Sequence, residues 1–256
     1  AKINASRINT KTLGLDPTWP VVKGKLMLQA NGNLDTVMVT GEADAQQTDL
    51  GAFTAAYKFK YLKEKGIKLE ALQVNTPATK TSLNIKGDWT LPLEGRSASG
   101  DLALKLDWKN LRWPMHDQAW FSSASGGAQI TGNSNQYSLD LTTDRPWPQA
   151  PPSKWHLIAS GNQQGMDIQQ LSIQALDGNI TSKGRLVWSE QPSWEASTTL
   201  SAINPGLQWS DWPGALDATI ISKGYIENGS IVADAHIEKL RGQLRENPFV
   251  LDSRLH

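Results

Sequence analysis

The feature that most limits what this chain can fold into is a two-residue period in its hydrophobicity, repeated along almost its whole length. Phe53-Thr54-Ala55-Ala56-Tyr57-Lys58-Phe59-Lys60-Tyr61 is the clearest instance: Phe53, Ala55, Tyr57, Phe59 and Tyr61 share one side, and Lys58 and Lys60 point to the other. Successive strand residues face opposite ways, so this alternation describes a half-buried strand with one apolar and one wet face. The same pattern runs through Gly24 to Ala30, Leu102 to Trp108, Tyr137 to Leu141 and Ile231 to Ile237. Turn signals separate the runs: Asn31-Gly32-Asn33, Asp177-Gly178-Asn179, Glu227-Asn228-Gly229 and the Pro-rich stretch 146–152. No helical stripe competes. Residues 42–52 have room for one turn, but Gly41 and Gly51 bracket a short polar run there. The pattern predicts an all-β, mostly antiparallel protein.

A longer period overlies the short one. Ile85-Lys86-Gly87-Asp88-Trp89 is similar to Ser182-Lys183-Gly184-Arg185-Leu186-Val187-Trp188, with the two glycines 97 positions apart. Trp-Pro recurs at Trp19-Pro20, Trp113-Pro114 and Trp212-Pro213, in steps of 94 and 99, while Trp147-Pro148 stands off this register. Proline cannot donate to a ladder and holds the residue before it extended, so Trp-Pro marks a strand start or an edge. A ring fixed there is placed to plug the end of a core or an apolar trough. Repeats of about 95–100 residues are too long for a common solenoid rung. They suit blocks of strands stacked edge to edge, approximately 1–80, 81–180 and 181–256, within one continuous 1–256 unit. The seams fall near 76–82 and 176–182.

Composition removes most chemistry. The 256 residues carry 25 Lys plus Arg against 25 Asp plus Glu, and that balance opposes a nucleic-acid partner. There is no cysteine, which excludes disulfides, thiolate metal sites and thiol nucleophiles. His116, His156, His236 and His256 stand at no metal-pair spacing, and no hydrolase elbow, Walker loop or dinucleotide fingerprint occurs. The acidic residues are scattered over wet strand faces. Neither enzyme activity nor a cofactor or metal is expected. No signal peptide and no apolar run of membrane-spanning length are present. The first residue is Ala1, and a strand-like run from Phe249 reaches almost to the last, so the chain reads as a piece of something longer. One charge cluster stands out: Lys58, Lys60, Lys63, Lys65 and Lys68, with Glu64 among them. It serves either as a solvated edge that blocks strand pairing or as a contact for anionic head groups or an acidic partner. Arg241 and Arg245 offer the same two uses.

Several blocks resemble the TamB family. They are Leu15-Asp16-Pro17-Thr18-Trp19-Pro20-Val21-Val22-Lys23-Gly24-Lys25, Gly184-Arg185-Leu186-Val187-Trp188, Pro192-Ser193-Trp194, Asn204-Pro205-Gly206, Trp212-Pro213-Gly214-Ala215-Leu216, and Leu240-Arg241-Gly242-Gln243-Leu244-Arg245 followed by Pro248. The resemblance implies an elongated, taco-like β-groove with an apolar interior. It further implies a periplasmic segment of an inner-membrane-anchored, AsmA-like protein of a Gram-negative bacterium. Such a bridge would carry phospholipid between inner and outer membranes, support outer-membrane protein assembly and meet an outer-membrane barrel partner of the TamA type. Pulling an acyl chain of about 15 methylenes into water costs roughly 12 kcal/mol, and a continuous apolar trough removes most of that barrier without a nucleophile, metal or nucleotide.

The expected lining is the apolar side of each strand. In the first half it is Leu26, Leu28, Val37, Val39, Phe53, Tyr57, Phe59, Leu83, Ile85, Trp89, Leu102, Leu104 and Leu106. In the second it is Leu139, Leu141, Leu157, Leu171, Ile173, Leu186, Trp188, Leu200, Leu216, Ile220, Ile231 and Ile237. Alternation by itself favours a closed sandwich core over a groove. Two other functions stay open. One is a chaperone-like platform that offers sheet edges to outer-membrane strands. The other is a carbohydrate-binding or adhesin-like protein with Trp platforms on a wet face, which Trp89, Trp108, Trp155 and Trp188 on the apolar parity oppose. Raw sheet edges also predict end-to-end self-association.

Overall fold

Alternating strands are what the chain forms. A computed structural model describes residues 2–9, 21–48, 50–90, 100–114, 119, 121–133, 135–146, 150–189, 191–227 and 229–255. The chain falls into two units, Ala1–Asn133 with Pro146–Pro148, and Ser134–Arg145 with Gln149–His256. The first holds β1 (Lys2–Asn9), β2 (Val22–Gly32), β3 (Thr36–Gln47), β4 (Gly51–Leu62), β5 (Gly66–Thr76), β6 (Thr81–Trp89), β7 (Leu102–Trp113) and β8 (Phe121–Asn133). The second holds β9 (Gln136–Asp144), β10 (Ser153–Gly161), β11 (Gly165–Ala175), β12 (Gly178–Val187), β13 (Ser193–Ile203), β14 (Gly214–Glu227), β15 (Ser230–Leu244) and β16 (Asn247–Leu255). Within each unit every strand pairs antiparallel with its neighbours in chain order, without a crossover. The all-β, antiparallel expectation holds. A single 3-10 turn, Pro205–Leu207, interrupts the strands described.

Short side-chain devices close the hairpins. Asn33 Oδ1 accepts the backbone N–H groups of Asp35 and Thr36 between β2 and β3, and Asn162 Oδ1 does the same for Gln164 and Gly165 between β10 and β11. Leu176 and Asp177 carry φ of 51° and 60°, and Arg245 and Glu246 carry 49° and 67°. Two successive positive φ values are the twist that a two-residue hairpin turn requires. Between β13 and β14, Asn204 Oδ1 accepts from Gly206 N and Gly214 N, fastening the turn to the start of β14.

The long repeat corresponds to six strands. Trp113 is the last residue of β7, so Trp113-Pro114 ends a strand and does not start one, whereas Trp212-Pro213 leads into β14. Trp19-Pro20 and Trp147-Pro148 lie outside the described residues. Gly87 and Gly184 sit in β6 and β12. Bulges recur at the same interval: Glu70 is the extra residue of β5 against β4, and Gln169 that of β11 against β10. Near the ends of β7 and β13, Asn110 and Ala202 share φ values of 49° and 54°. Regions 76–82 and 176–182 are the hairpin turns β5–β6 and β11–β12, also six strands apart, and each lies inside its unit.

Candidate functional site

The register turns the sequence period into rows across the sheet. In the first unit, Leu28, Gly41, Tyr57, Leu72, Ile85, Leu106 and Ala128 stand side by side from β2 to β8. Next to them run Ala30, Val39, Phe59, Leu69, Gly87, Leu104 and Ile130. The flanking rows are Leu26, Ala43, Ala55, Val74, Leu83, Trp108 and Gly126, and Gly32, Val37, Tyr61, Ile67, Trp89, Leu102 and Gly132. Every position in these four rows is apolar, aromatic or glycine. Yet only Val39, Trp108 and Ala128 among them are buried, and the rest are partly or fully exposed. A closed sandwich buries such rows against a second sheet, so the sandwich that alternation favours does not describe this unit.

In each unit some aromatic rings lie along the apolar side of the sheet. A Cβ added at Gly41 would strike the Tyr57 ring, one at Gly161 the Tyr137 ring, and one at Gly224 the Trp194 ring. Glycine lets the ring lie across the neighbouring strand, the cross-strand device by which aromatics cover sheet glycines. The Tyr57 hydroxyl donates to Met27 O at 3.0 Å, and burial pushes its phenol above the ordinary range. Flat rings keep the face apolar without filling the space above it.

The second unit carries a patchier version. Leu141, Leu157, Leu171, Ser182, Thr198, Ile220 and Ile237 form one row from β9 to β15, and Thr143, Trp155, Ile173, Ile180, Leu200, Ala218 and Leu240 the next. Ser182 and Thr198 hydrogen-bond each other at 2.9 Å, which lowers the cost of apolar contact with them. On the far side of the first row stand Leu139, Ala159, Ile168, Gly184, Ala196, Ser222 and Ala235.

The expected lining residues take these positions. In the first unit Leu26, Leu28, Val37, Val39, Phe53, Tyr57, Phe59, Leu83, Ile85, Trp89, Leu102, Leu104 and Leu106 share one face. In the second, Leu139, Leu141, Leu157, Leu171, Ile173, Leu186, Leu200, Leu216, Ile220, Ile231 and Ile237 do so. Ile231 is 71% exposed, near the tip of the β14–β15 hairpin. Trp188 follows β12 and is also exposed, its indole Nε1 donating to Gln163 O at 2.8 Å. Sequence reasoning missed all of β5 (Ile67, Leu69, Leu72 and Val74), and also Ile130, Met166, Ile168, Ile180, Trp194 and Leu240; it placed Trp108 on the apolar side but left it out of the lining. The bulges shift parity in mid-strand in β5, β11 and β15, and two half-patterns read separately would have revealed them.

The basic residues separate into different settings. Lys58, Lys60 and Lys68 stand on the wet side of β4 and β5, while Lys63 and Lys65 occupy the turn between those strands. Lys58 Nζ lies 2.7 Å from Glu70 Oε2, and Lys63 Nζ lies 3.6 Å from Asp35 Oδ1. Arg241 pairs across strands with Asp217 at 3.5 Å. Arg245 donates to Asp211 O and stacks 4.8 Å over the Trp212 ring, tying down the β13–β14 connection.

The hydrogen bond from Lys58 holds the Glu70 carboxyl below its ordinary range. Partial desolvation opposes this, and the fields of Lys58, Lys68 and Lys60 reinforce it. A depressed carboxyl contributes stability that is present above its unfolded-state value and is lost as pH falls through the folded-state value. Carboxyl-carbon NMR should therefore show Glu70 titrating below the usual Glu value of about 4.3, and Lys58→Gln should bring the midpoint back up. An ordinary midpoint in the wild type would contradict the pair.

A ladder of antiparallel strands whose apolar face stays half open defines a class: an all-β scaffold that offers an apolar sheet surface. Residues 93–256 match the family model described as TamB, N-terminal domain. The chain belongs to the TamB family, whose members are membrane-associated periplasmic proteins that act broadly in outer-membrane assembly and lipid transport. Among the described residues, no helix is long and apolar enough to cross a membrane.

Proposed function

We propose that the apolar face is a passive conduit. On it, phospholipid acyl chains move between the inner and outer membranes of a Gram-negative cell. The protein also supports outer-membrane protein assembly with a TamA-like barrel partner. One observation carries the reading: four adjoining rows of apolar, aromatic or glycine residues cross seven strands of the first unit and remain only partly covered. Contiguous exposed apolar surface of that extent marks a binding site in a soluble chain. Each methylene kept on the face avoids about 0.8 kcal/mol of hydration cost, so the chain can slide without a covalent step. The head group stays in water.

Photo-crosslinking in the full-length protein tests this. A photoreactive residue at Phe59, Leu106 or Ile220 should yield lipid adducts, and one at Asn84 or Thr199, exposed on the wet faces, should not. Adducts to peptide instead would favour a strand-capturing chaperone. Equal lipid labelling from both faces would refute the conduit.

A further inference from the structure

We propose that the wet face of β4–β7 is a second, separate site, which docks on the anionic head groups of a bilayer surface. On this face Lys60 stands directly across from Lys68, and Lys86 directly across from Lys105. Lys58 lies in the adjoining row, and Lys86 faces the bulge at Glu70 and Ala71. Two acidic groups face the patch: Glu70, paired with Lys58, and Asp88, across from Lys68. Glu42 and Asp107 stand one row away. Five lysines thus meet two carboxylates on a chain whose formal charge is zero.

Like charges placed directly opposite each other work against the sheet, so folding does not account for these pairs. The second unit shows how the same architecture neutralises a wet face. There Asp167, Arg185, Glu195, Lys223 and Asp234 form one row of alternating sign across five strands. The first unit departs from that arrangement over β4–β7 and concentrates positive charge. Lys58, Lys68, Lys86 and Lys105 are exposed, and the field of Lys58, Lys60 and Lys68 already registers on the Glu70 carboxyl.

Three features select a bilayer surface over a protein partner. Apart from Glu70 and Asp88, the positions beside the lysines are small or uncharged: Ala71, Ala103, and Gln129 and Thr131 on the adjoining β8. No aromatic or arginine anchor of the kind that dominates protein interfaces stands among them. Every basic group in the patch is a lysine, a hydrated point charge suited to a diffuse anionic layer. The patch is on the opposite side of the sheet from the apolar rows, so the inference does not depend on the conduit.

The test is flotation of the 256-residue protein with vesicles of phosphatidylcholine alone or with about 30% phosphatidylglycerol. The protein should bind the anionic vesicles only, and should lose them on going from about 0.1 M to about 1 M salt. The triple variant Lys60→Gln, Lys86→Gln, Lys105→Gln should bind about a hundredfold more weakly. Its melting temperature should not fall, because it relieves both like-charged pairs. Arg185→Gln with Lys223→Gln should leave binding unchanged. Equal binding to neutral vesicles, no binding to anionic ones, or indifference to the triple substitution would each overturn the proposal. So would capture of the patch by polyglutamate while anionic vesicles fail to bind.

Discussion

Leu104→Asp is expected to cut lipid movement along the first unit about a hundredfold while the protein still folds. Leu104 lies in the second apolar row, with Gly87 and Ile130 as its cross-strand neighbours. A carboxylate there keeps its own water, and an acyl chain crossing it must lift about four methylenes off the face. At about 0.8 kcal/mol each that adds roughly 3 kcal/mol, a factor of about a hundred in rate. Leu104 is only partly covered, so the folded state loses about 1–2 kcal/mol and survives. Ile220→Arg in the second unit should act in the same way. Ser82→Asp is the matched control: on the wet face of β6 and across from Lys109, it adds the same charge without touching the lining. The readouts are lipid adducts at a photoreactive residue placed at Phe59 and lipid transfer by the full-length protein, with circular dichroism to confirm the fold. Wild-type adducts and transfer in Leu104→Asp would mean that chains do not travel over this row.

Strand identity and face were legible because alternation is local. Lys58 and Lys60 betray the orientation of β4 without knowledge of any neighbour, and the same holds for Lys105 and Asp107 in β7. Where parity slips, the sequence reads as noise. In β5 the run Ile67, Leu69, Glu70, Ala71, Leu72, Val74 has no single period, since Glu70 is absorbed by a bulge that only the ladder with β4 defines. Register was equally hidden. That Lys86 meets Lys105 follows from pairing between strands, as does the charge row from Asp167 to Asp234. The half-open state of the apolar rows was not legible either, because alternation describes a sandwich strand and a groove strand in the same letters. The lysines at 58, 60 and 68 read as a cluster from sequence, but their separation from the lining by the thickness of the sheet needed the structure.

Trp108→Ala is expected to produce the largest loss of stability, about 3 kcal/mol. Trp108 is the bulkiest buried side chain of the apolar rows, at 7% exposure, and its indole Nε1 donates to Ser123 Oγ at 2.9 Å. The Ser123 hydroxyl, itself buried, donates in turn to Ser125 O at 2.8 Å, so ring and hydroxyl fasten β7 to β8. Truncation to alanine removes the apolar area and leaves a gap beside Leu83 and Gly126, its cross-strand neighbours. Because Leu83 is only partly covered, water can enter, which keeps the cost at the lower end for a buried aromatic. Trp108→Phe separates the two contributions: it keeps most of the ring and loses the donor, for about 1 kcal/mol. Trp108→Phe with Ser123→Ala removes both partners and should cost less than the sum of the single changes. Urea unfolding followed by circular dichroism reads all of these. The loss should appear as a lower urea midpoint at an unchanged slope. A Phe variant as unstable as the Ala variant would assign the stabilisation to the hydrogen bond, and an unshifted Ala variant would show that the ring is not packed at all.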